Sequence, residues 1–313
     1  MYRYIIKKSV YLIITLVLTS IFTFILINSI PGDPAEVLAR HIFLNYQQAA
    51  PPELVAEVSD RYNLDSSLLE QYFNWFCGVI HGDLGHSILY NRSVSDLIGQ
   101  SIVPTIQLTV TSMVFAVIVG VLLGVYSAIR QNTVIDYVIR ILTVLFASIP
   151  RFIVAIILIL IFSMMIGFTP ISEYSGIKSF ILPSIVLGLP TLASIAQIMR
   201  TSTIETLEKQ YVTFAICKGI PIHRVILCHV CKNAFIPVLT IIGMSFGGLL
   251  GGSVVIETIF SWPGIGSLLL NAIQARDVVL IHNIIIVIVG MFMIVNFVVD
   301  ILYTKLNPRI TYD

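Results

Sequence analysis

Three clusters in this 313-residue chain carry side chains that could do chemistry. Gly243-Met-Ser245-Phe-Gly247 has the G-x-S-x-G spacing of a nucleophile elbow, where a strained strand-to-helix turn lifts a serine hydroxyl into a site. The motif here lies inside an apolar stretch of helical length. Ser245 and its glycines therefore read as small residues at a helix contact, and an intramembrane hydrolase is disfavoured. Cys228-His-Val-Cys231, with Cys217 and His223 upstream, has the spacing of a thiol pair. Zinc or redox chemistry needs a second ligand pair or an acidified thiol, and a lone C-x-x-C on a helix supplies neither. No metal site is expected. Ser148-Ile-Pro150-Arg151 puts a guanidinium midway along an apolar run. A charge at membrane depth costs about 3 kcal/mol unless it faces a cavity or a partner. Arg151 is therefore a candidate residue of a translocation path, meeting a carboxylate on a passing solute, or else it pairs with another subunit. No Gly-Lys dipeptide occurs anywhere, so the sequence contains no P-loop. If ATP drives its work, another chain hydrolyses it.

The surroundings of these residues weigh against catalysis. Hydrophobic residues make up 57% of the chain and charged residues 11%, with mean hydropathy +0.95. Soluble domains carry about 25% charge, so the chain reads as a polytopic membrane protein. Its net charge of +1 hides an alternation. Between Pro31 and Ser101 the acids Asp33, Glu36, Glu53, Glu57, Asp60, Asp65, Glu70, Asp83 and Asp96 outnumber Arg40, Arg61 and Arg92. The N-terminus carries Arg3, Lys7 and Lys8, and the stretch after Met199 carries Arg200, Lys209, Lys218, Arg224 and Lys232 against Glu205 and Glu208. Basic segments stay on the cytoplasmic side, which places both inside and residues 31–101 outside. Cys77 then falls on the opposite face from Cys217, Cys228 and Cys231, and no disulfide framework is expected. No basic patch points to nucleic acid.

The elements that must position these residues are membrane spans. Residues 10–30, 104–129, 137–168, 181–200, 234–256 and 281–303 read as six transmembrane helices. The first is about 21 residues long, enough to cross the hydrocarbon core at about 1.5 Å per residue. Its apolar run is too long for a signal peptide, and no A-x-A-like site follows. Pro31-Gly-Asp-Pro34 ends it and opens an external segment with two short helices, 53–62 and 67–76. The second opens with the capping-box pattern Ser67-Leu-Leu-Glu70, and its Tyr72, Phe73, Trp75 and Phe76 suit a membrane interface. This segment is a candidate landing site for a binding protein, or only a shield for the span ends. Gly120-Val-Leu-Leu-Gly124 predicts close helix approach, and Pro183 with Pro190 predicts a kinked fourth span.

A polar island interrupts the apolar sequence between residues 211 and 237. It predicts a helix through Tyr211 and Ala215, a break at Lys218-Gly219 and Pro221, and a short second helix that runs through Asn233 to Ile236-Pro237 and into the fifth span. The Ala215, Gly219 and Ile236-Pro237 spacing resembles the EAA loop of bacterial ABC-importer permeases, the helix that plugs into the ATPase subunit. Tyr211-Val212, Lys218-Gly219, His229 and Asn233-Ala-Phe-Ile-Pro237 narrow the resemblance to the dipeptide, oligopeptide and nickel branch. The run Glu257-Thr-Ile-Phe-Ser-Trp262-Pro263-Gly264-Ile-Gly266, followed by Ala272-Ile273 and Arg276-Asp277, is close to that branch's second signature. Pro31-Gly-Asp-Pro34, Tyr62-x-Leu64-Asp65, Leu69-x-Gln71-Tyr72, Gly82-Asp-Leu-Gly85-x-Ser87, the Ser148-x-Pro150-x-Phe152 frame, Asp300-x-x-Tyr303 and Asn307-Pro308-Arg309 are family-like as well. The resemblance covers nearly the whole chain, but Arg151 is not part of the shared pattern.

The resemblance implies an all-α type I importer transmembrane domain with six spans and both termini cytoplasmic. Its parts would be an N-terminal helix (1–30), an extracytoplasmic segment (31–101), a core (102–306) with a cytoplasmic coupling loop near 201–233, and a tail (307–313). It implies a second homologous permease, two ATP-binding subunits that hold ATP and magnesium, an extracytoplasmic solute-binding protein, and membrane lipid around the bacterial inner-membrane assembly. This chain would bind no cofactor itself. Short peptides are the first substrate class implied, and nickel or a nickel chelate the second. A secondary transporter would show symmetry-related broken helices and midplane relays, for which only Arg151 qualifies. The family commonly has an Asp before the Tyr and two Arg before the Lys-Gly; here Gln210, Thr213 and Ile216 stand there, which implies a differently surfaced ATPase.

Overall fold

The computed structural model describes residues 2–29, 35–36, 39, 51–61, 66–167 and 176–306. The Pro31–Pro34 turn, Tyr62, Leu64, Asp65, the loop around Glu173, the Asn307-Pro308-Arg309 end and the side chains of Asp300 and Tyr303 lie outside the described residues. The described elements are helical except for one tiny hairpin. In order they are α1 (Tyr2–Asn28), α2 (Pro52–Arg61), α3 (Leu68–Ile80), β1 (His86–Ser87) and β2 (Arg92–Ser93), and α4 (Val94–Ile129). Then follow α5 (Val134–Ser148), α6 (Arg151–Leu158) with a π-helical extension Ile159–Met165, and α7 (Ile177–Leu207). The chain closes with α8 (Gln210–Cys217), α9 (Ile222–Val225) with a π-helical turn Ile226–Val230, α10 (Cys231–Ile259), α11 (Ile265–Ala275) and α12 (Val278–Leu306). The antiparallel hairpin pairs His86 with Ser93, and the sequence offered no alternation that predicts it.

Five described helices are long and apolar enough to cross a membrane: Ile6–Asn28, Val94–Ile129, Lys178–Leu207, Ile222–Ile259 and Val278–Val299. The expected third span, 137–168, is a sharply bent pair of helices. Val134–Ser148 and Arg151–Met165 meet at 105°, and a sixth crossing exists only if this bent pair counts as one. Pro150 is the cause: it has no N–H to continue the ladder and forces Ile149 into an extended conformation (φ −75°, ψ 128°). Each arm of 15 residues reaches only about 22 Å, short of a hydrocarbon core of about 30 Å. The other prolines act differently. Helix α4 starts ten residues before Pro104, where the second span was expected to begin, and α7 runs unbroken through Pro183 and Pro190.

The chain divides into two compact units, Met1–Thr105 with Pro263–Ile294, and Ile106–Trp262 with Val295–Thr311. The first gathers α1 to α3, the hairpin, α11 and the starts of α4 and α12. Its core is Val94, Leu97, Ile98, Ile265, Leu268, Leu280 and Ile284. Ser67 caps α3 by accepting the Glu70 N–H at 3.3 Å. The aromatics of α3 are sorted by helical phase. Phe73 is exposed, while Tyr72, Trp75 and Phe76 share a face that packs inward over Phe24 and the buried His282. Trp75 also donates its Nε1–H to Asn283.

The second unit is built around α7, whose Leu187, Leu192, Ile195 and Met199 are fully buried. Glycines let α4 approach it. A methyl at Gly120 would strike the Leu192 carbonyl at 2.9 Å, one at Gly124 the Ala196 carbonyl at 2.6 Å, and one at Gly188 the Ser112 carbonyl at 2.7 Å. The small-residue pattern thus marks a close crossing, as expected. Gly243 plays the same part against Val299, and the whole G-x-S-x-G run lies inside the continuous helix α10, with no strand-to-helix turn.

Candidate coupling segment and substrate path

The polar island folds as two short helices about a glycine. Lys209 is extended (φ −72°, ψ 141°), α8 runs from Gln210, and Gly219 ends it at φ +79°. The Gly219 N–H donates to the Ile216 carbonyl at 2.9 Å and the Ile220 N–H to the Ala215 carbonyl at 3.3 Å. This is a Schellman end, in which a left-handed residue lets two N–H groups turn back onto the last carbonyls. Only glycine adopts that conformation without a Cβ penalty. Ala215 sits at the position whose carbonyl receives the longer bond. It is buried with Val212, Val225 and Val230, while Ile220 packs back on them from beyond the turn. A small core thus fixes the hairpin of α8 and α9. Asn233 closes it, donating its side-chain N–H to the Tyr211 hydroxyl at 3.1 Å and to the His229 carbonyl at 2.8 Å.

The opposite face of α8 is exposed. Tyr211, Phe214 and Lys218 line it, with Phe214 62% exposed and the Lys218 ammonium 4.7 Å from its ring centre. Ile216, Leu227, Ile236 and Pro237 are exposed as well. Ile236-Pro237 lies within α10, one turn beyond Asn233. The Tyr211–Asn233 bond is what ties that part of the motif to α8. Cys217 and Cys228 are exposed and Cys231 is half-buried; all are free thiols.

Two residues that sequence reasoning did not single out as a pair support this segment. Arg200, on α7 just before it, donates Nε–H and Nη2–H to the two Asp136 oxygens, each at 2.7 Å. Asp136 is fully buried and also accepts from the Ser127 hydroxyl and, at 3.0 Å, the Asn132 N–H. The ion pair pins the α4–α5 turn to the end of α7. A lone acid at the start of an apolar helix, Asp136, was the available signal, but nothing in spacing names its partner.

The second signature divides between structural tasks. Glu257 is fully buried in α10, and its carbonyl accepts the Trp262 N–H at 2.7 Å. Pro263 is exposed, and Gly264 and Gly266 are buried at the start of α11. There the Ile265 N–H donates to the Thr105 hydroxyl at 2.8 Å. Arg276 ends α11 in the left-handed region (φ 53°), with its N–H on the Ile273 carbonyl at 3.1 Å and the Asp277 N–H on Ala272 at 3.0 Å. Asp277 is fully buried. Its carboxylate accepts from the Ser87 hydroxyl at 2.6 Å and from the Leu89 and Leu280 N–H groups, each at 3.1 Å. The Gly82–Ser87 and Arg276-Asp277 motifs, 190 positions apart at Ser87 and Asp277, therefore meet as one interlock.

Arg151 opens α6 directly after the 105° bend. Val154 and Leu158, on its face of the helix, pack on the cluster that holds Leu249 and Ile256 of α10. The guanidinium lies against Gly252, in the space a Cβ would fill. Its side chain is half-buried.

Residues 120–312 match the family described as binding-protein-dependent transport system inner membrane component, and residues 1–109 match the family of its N-terminal part. Over 312 residues, covering 100% of both chains, the sequence is 36% identical to a protein named glutathione transport system permease protein GsiC from Escherichia coli K12. It is 35% identical, again end to end, to the GsiC protein of Salmonella choleraesuis. Among solved structures, the fold resembles a chain of the MetNI methionine ABC transporter in inward-facing conformations. That match has a TM-score of 0.57 and 14% identity, and covers 67% of this chain and 96% of that one.

Proposed function

We infer the mode of action from one premise: the chain belongs to the family of binding-protein-dependent transport system inner membrane components. It is the membrane-spanning permease subunit of an ABC importer, and not itself an enzyme. Beyond that, we propose that it forms half the walls of a path for short peptides delivered by an extracytoplasmic receptor. A second homologous permease supplies the other half, and two ATP-binding subunits hydrolyse ATP. Both termini and the Tyr211–Pro237 segment face the cytoplasm, as the basic residues there favour. The observation that carries the peptide reading is the end-to-end 36% identity to proteins named for glutathione, itself a tripeptide. Neither of the relatives named above is named for nickel.

The free face of α8, with Tyr211, Phe214 and Lys218, is the docking surface for an ATPase. The small core behind it passes the push to α7 and α10, and the spans rock between outward and inward openings. Uptake by cells lacking this chain tests the substrate class, with labelled dipeptide, labelled pentapeptide, labelled glutathione and radioactive nickel run in parallel. Loss of peptide or glutathione uptake, restored by the chain, is the expected result. Loss of nickel uptake alone would overturn the peptide reading.

A further inference from the structure

We propose that Arg151 binds the carboxylate of the passing solute and that Gly252 is its seat; this rests on the peptide-permease reading. The chemistry begins with an unmatched charge. Among the described residues no carboxylate pairs with Arg151, and the next side chains on its face of α6, Val154 and Leu158, are apolar. A guanidinium in such surroundings has lost part of its hydration and gained no counter-charge, which a planar, two-oxygen anion would supply.

The geometry shows where that anion would come from. The bend at Pro150 breaks the helix immediately before Arg151 and turns its side chain onto α10. Gly252 leaves the room: an alanine methyl there would overlap the guanidinium Nη1. The neighbouring face of α10 is exposed. Met244, Gly248, Gly251, Val255 and Thr258 are exposed, and nothing lies within 4 Å of where a Cβ would stand at Gly248 or Gly251. The guanidinium therefore lies at the edge of an exposed strip that carries no side chain at Gly248 and Gly251, where a peptide backbone can approach closely. Glu257, the acid on the same helix, is fully buried and has contacts of its own. It does not compete for Arg151.

The test uses the whole transporter with its receptor in proteoliposomes, loaded with labelled tri-alanine or its C-terminal amide. Both are supplied at concentrations that fill the receptor equally, so that any difference in rate arises beyond it. Wild type is expected to import the acid about 10-fold faster than the amide, the ratio a charge-assisted hydrogen-bond pair provides. Arg151→Met imports both at the slower rate, and Arg151→Lys falls between. Gly252→Ala displaces only the flexible end of Arg151, so it also erases the preference, yet adds nothing to Arg151→Met. A wild type without preference, or an Arg151→Met transporter that keeps it, overturns the proposal. If wild type imports neither peptide, the peptide reading itself fails and this assignment falls with it.

Discussion

Two helix ends in this protein use the same hydrogen-bonded turn for opposite purposes. At the end of α8 and at the end of α11, the last turn closes with one N–H on an alanine carbonyl, Ala215 or Ala272, across a left-handed residue. In α8 that residue is Gly219, with nothing within 4 Å of where a side chain would start. In α11 it is Arg276, which accepts a conformation costing about 1–2 kcal/mol for a residue with a Cβ. The residue that follows explains the difference. Ile220 tucks into a small apolar core, whereas Asp277 is fully buried with three donors on its carboxylate. A strained turn can be held when the next side chain is anchored; an unstrained one leaves its outer face free for a partner. The α11 turn is a lock, and the α8 turn borders the face we propose as a docking surface.

The comparison breaks most sharply at Asp277. Asp277→Ala leaves the Ser87 hydroxyl and the Leu89 and Leu280 N–H groups without their acceptor in a buried place. The expected loss is about 4 kcal/mol, read as a large drop in the melting temperature of the detergent-solubilised protein. The left-handed positions should respond with opposite signs and smaller size. Gly219→Ala has the space but not the backbone, and is expected to destabilise by about 1 kcal/mol. Arg276→Gly relieves strain and is expected to be neutral or stabilising by up to about 1 kcal/mol. The same melting experiment reads both. Equal signs would show that the two turns do not share one backbone logic.

Much of this was legible in the sequence, for identifiable reasons. The break at Gly219, the helix before it and the close approach at Gly120 and Gly124 follow from local backbone chemistry, which a sequence states directly. The long apolar runs placed five helices that can cross a membrane, although their ends were misjudged wherever an early proline sat inside a helix, as Pro104 does in α4. Proline at 150 makes a 105° corner inside what reads as one apolar run. The composition on both sides of such a corner is equally apolar, so hydropathy cannot mark it. What spacing could not reveal were the pairings across distance: Asp136 with Arg200, and Ser87 with Asp277. Each joins a short polar signal to another far along the chain, and the choice of partner is made only by the fold. The inward face of Tyr72, Trp75 and Phe76 is a third case, because an aromatic cluster suits a membrane surface and a buried contact equally well.

The central claim is that the free face of α8 receives the force of an ATPase partner. The direct test is Phe214→Asp, at a position 62% exposed and outside the small core behind the turn. Receptor-stimulated ATP hydrolysis and uptake of labelled glutathione or tri-alanine would be measured in the reconstituted transporter, beside the melting temperature of the purified chain. The account predicts unchanged melting, with stimulated hydrolysis and uptake both reduced at least about 10-fold, the loss expected when an exposed aromatic anchor of an interface is replaced by a charge. Full uptake by a normally assembled Phe214→Asp transporter would contradict it.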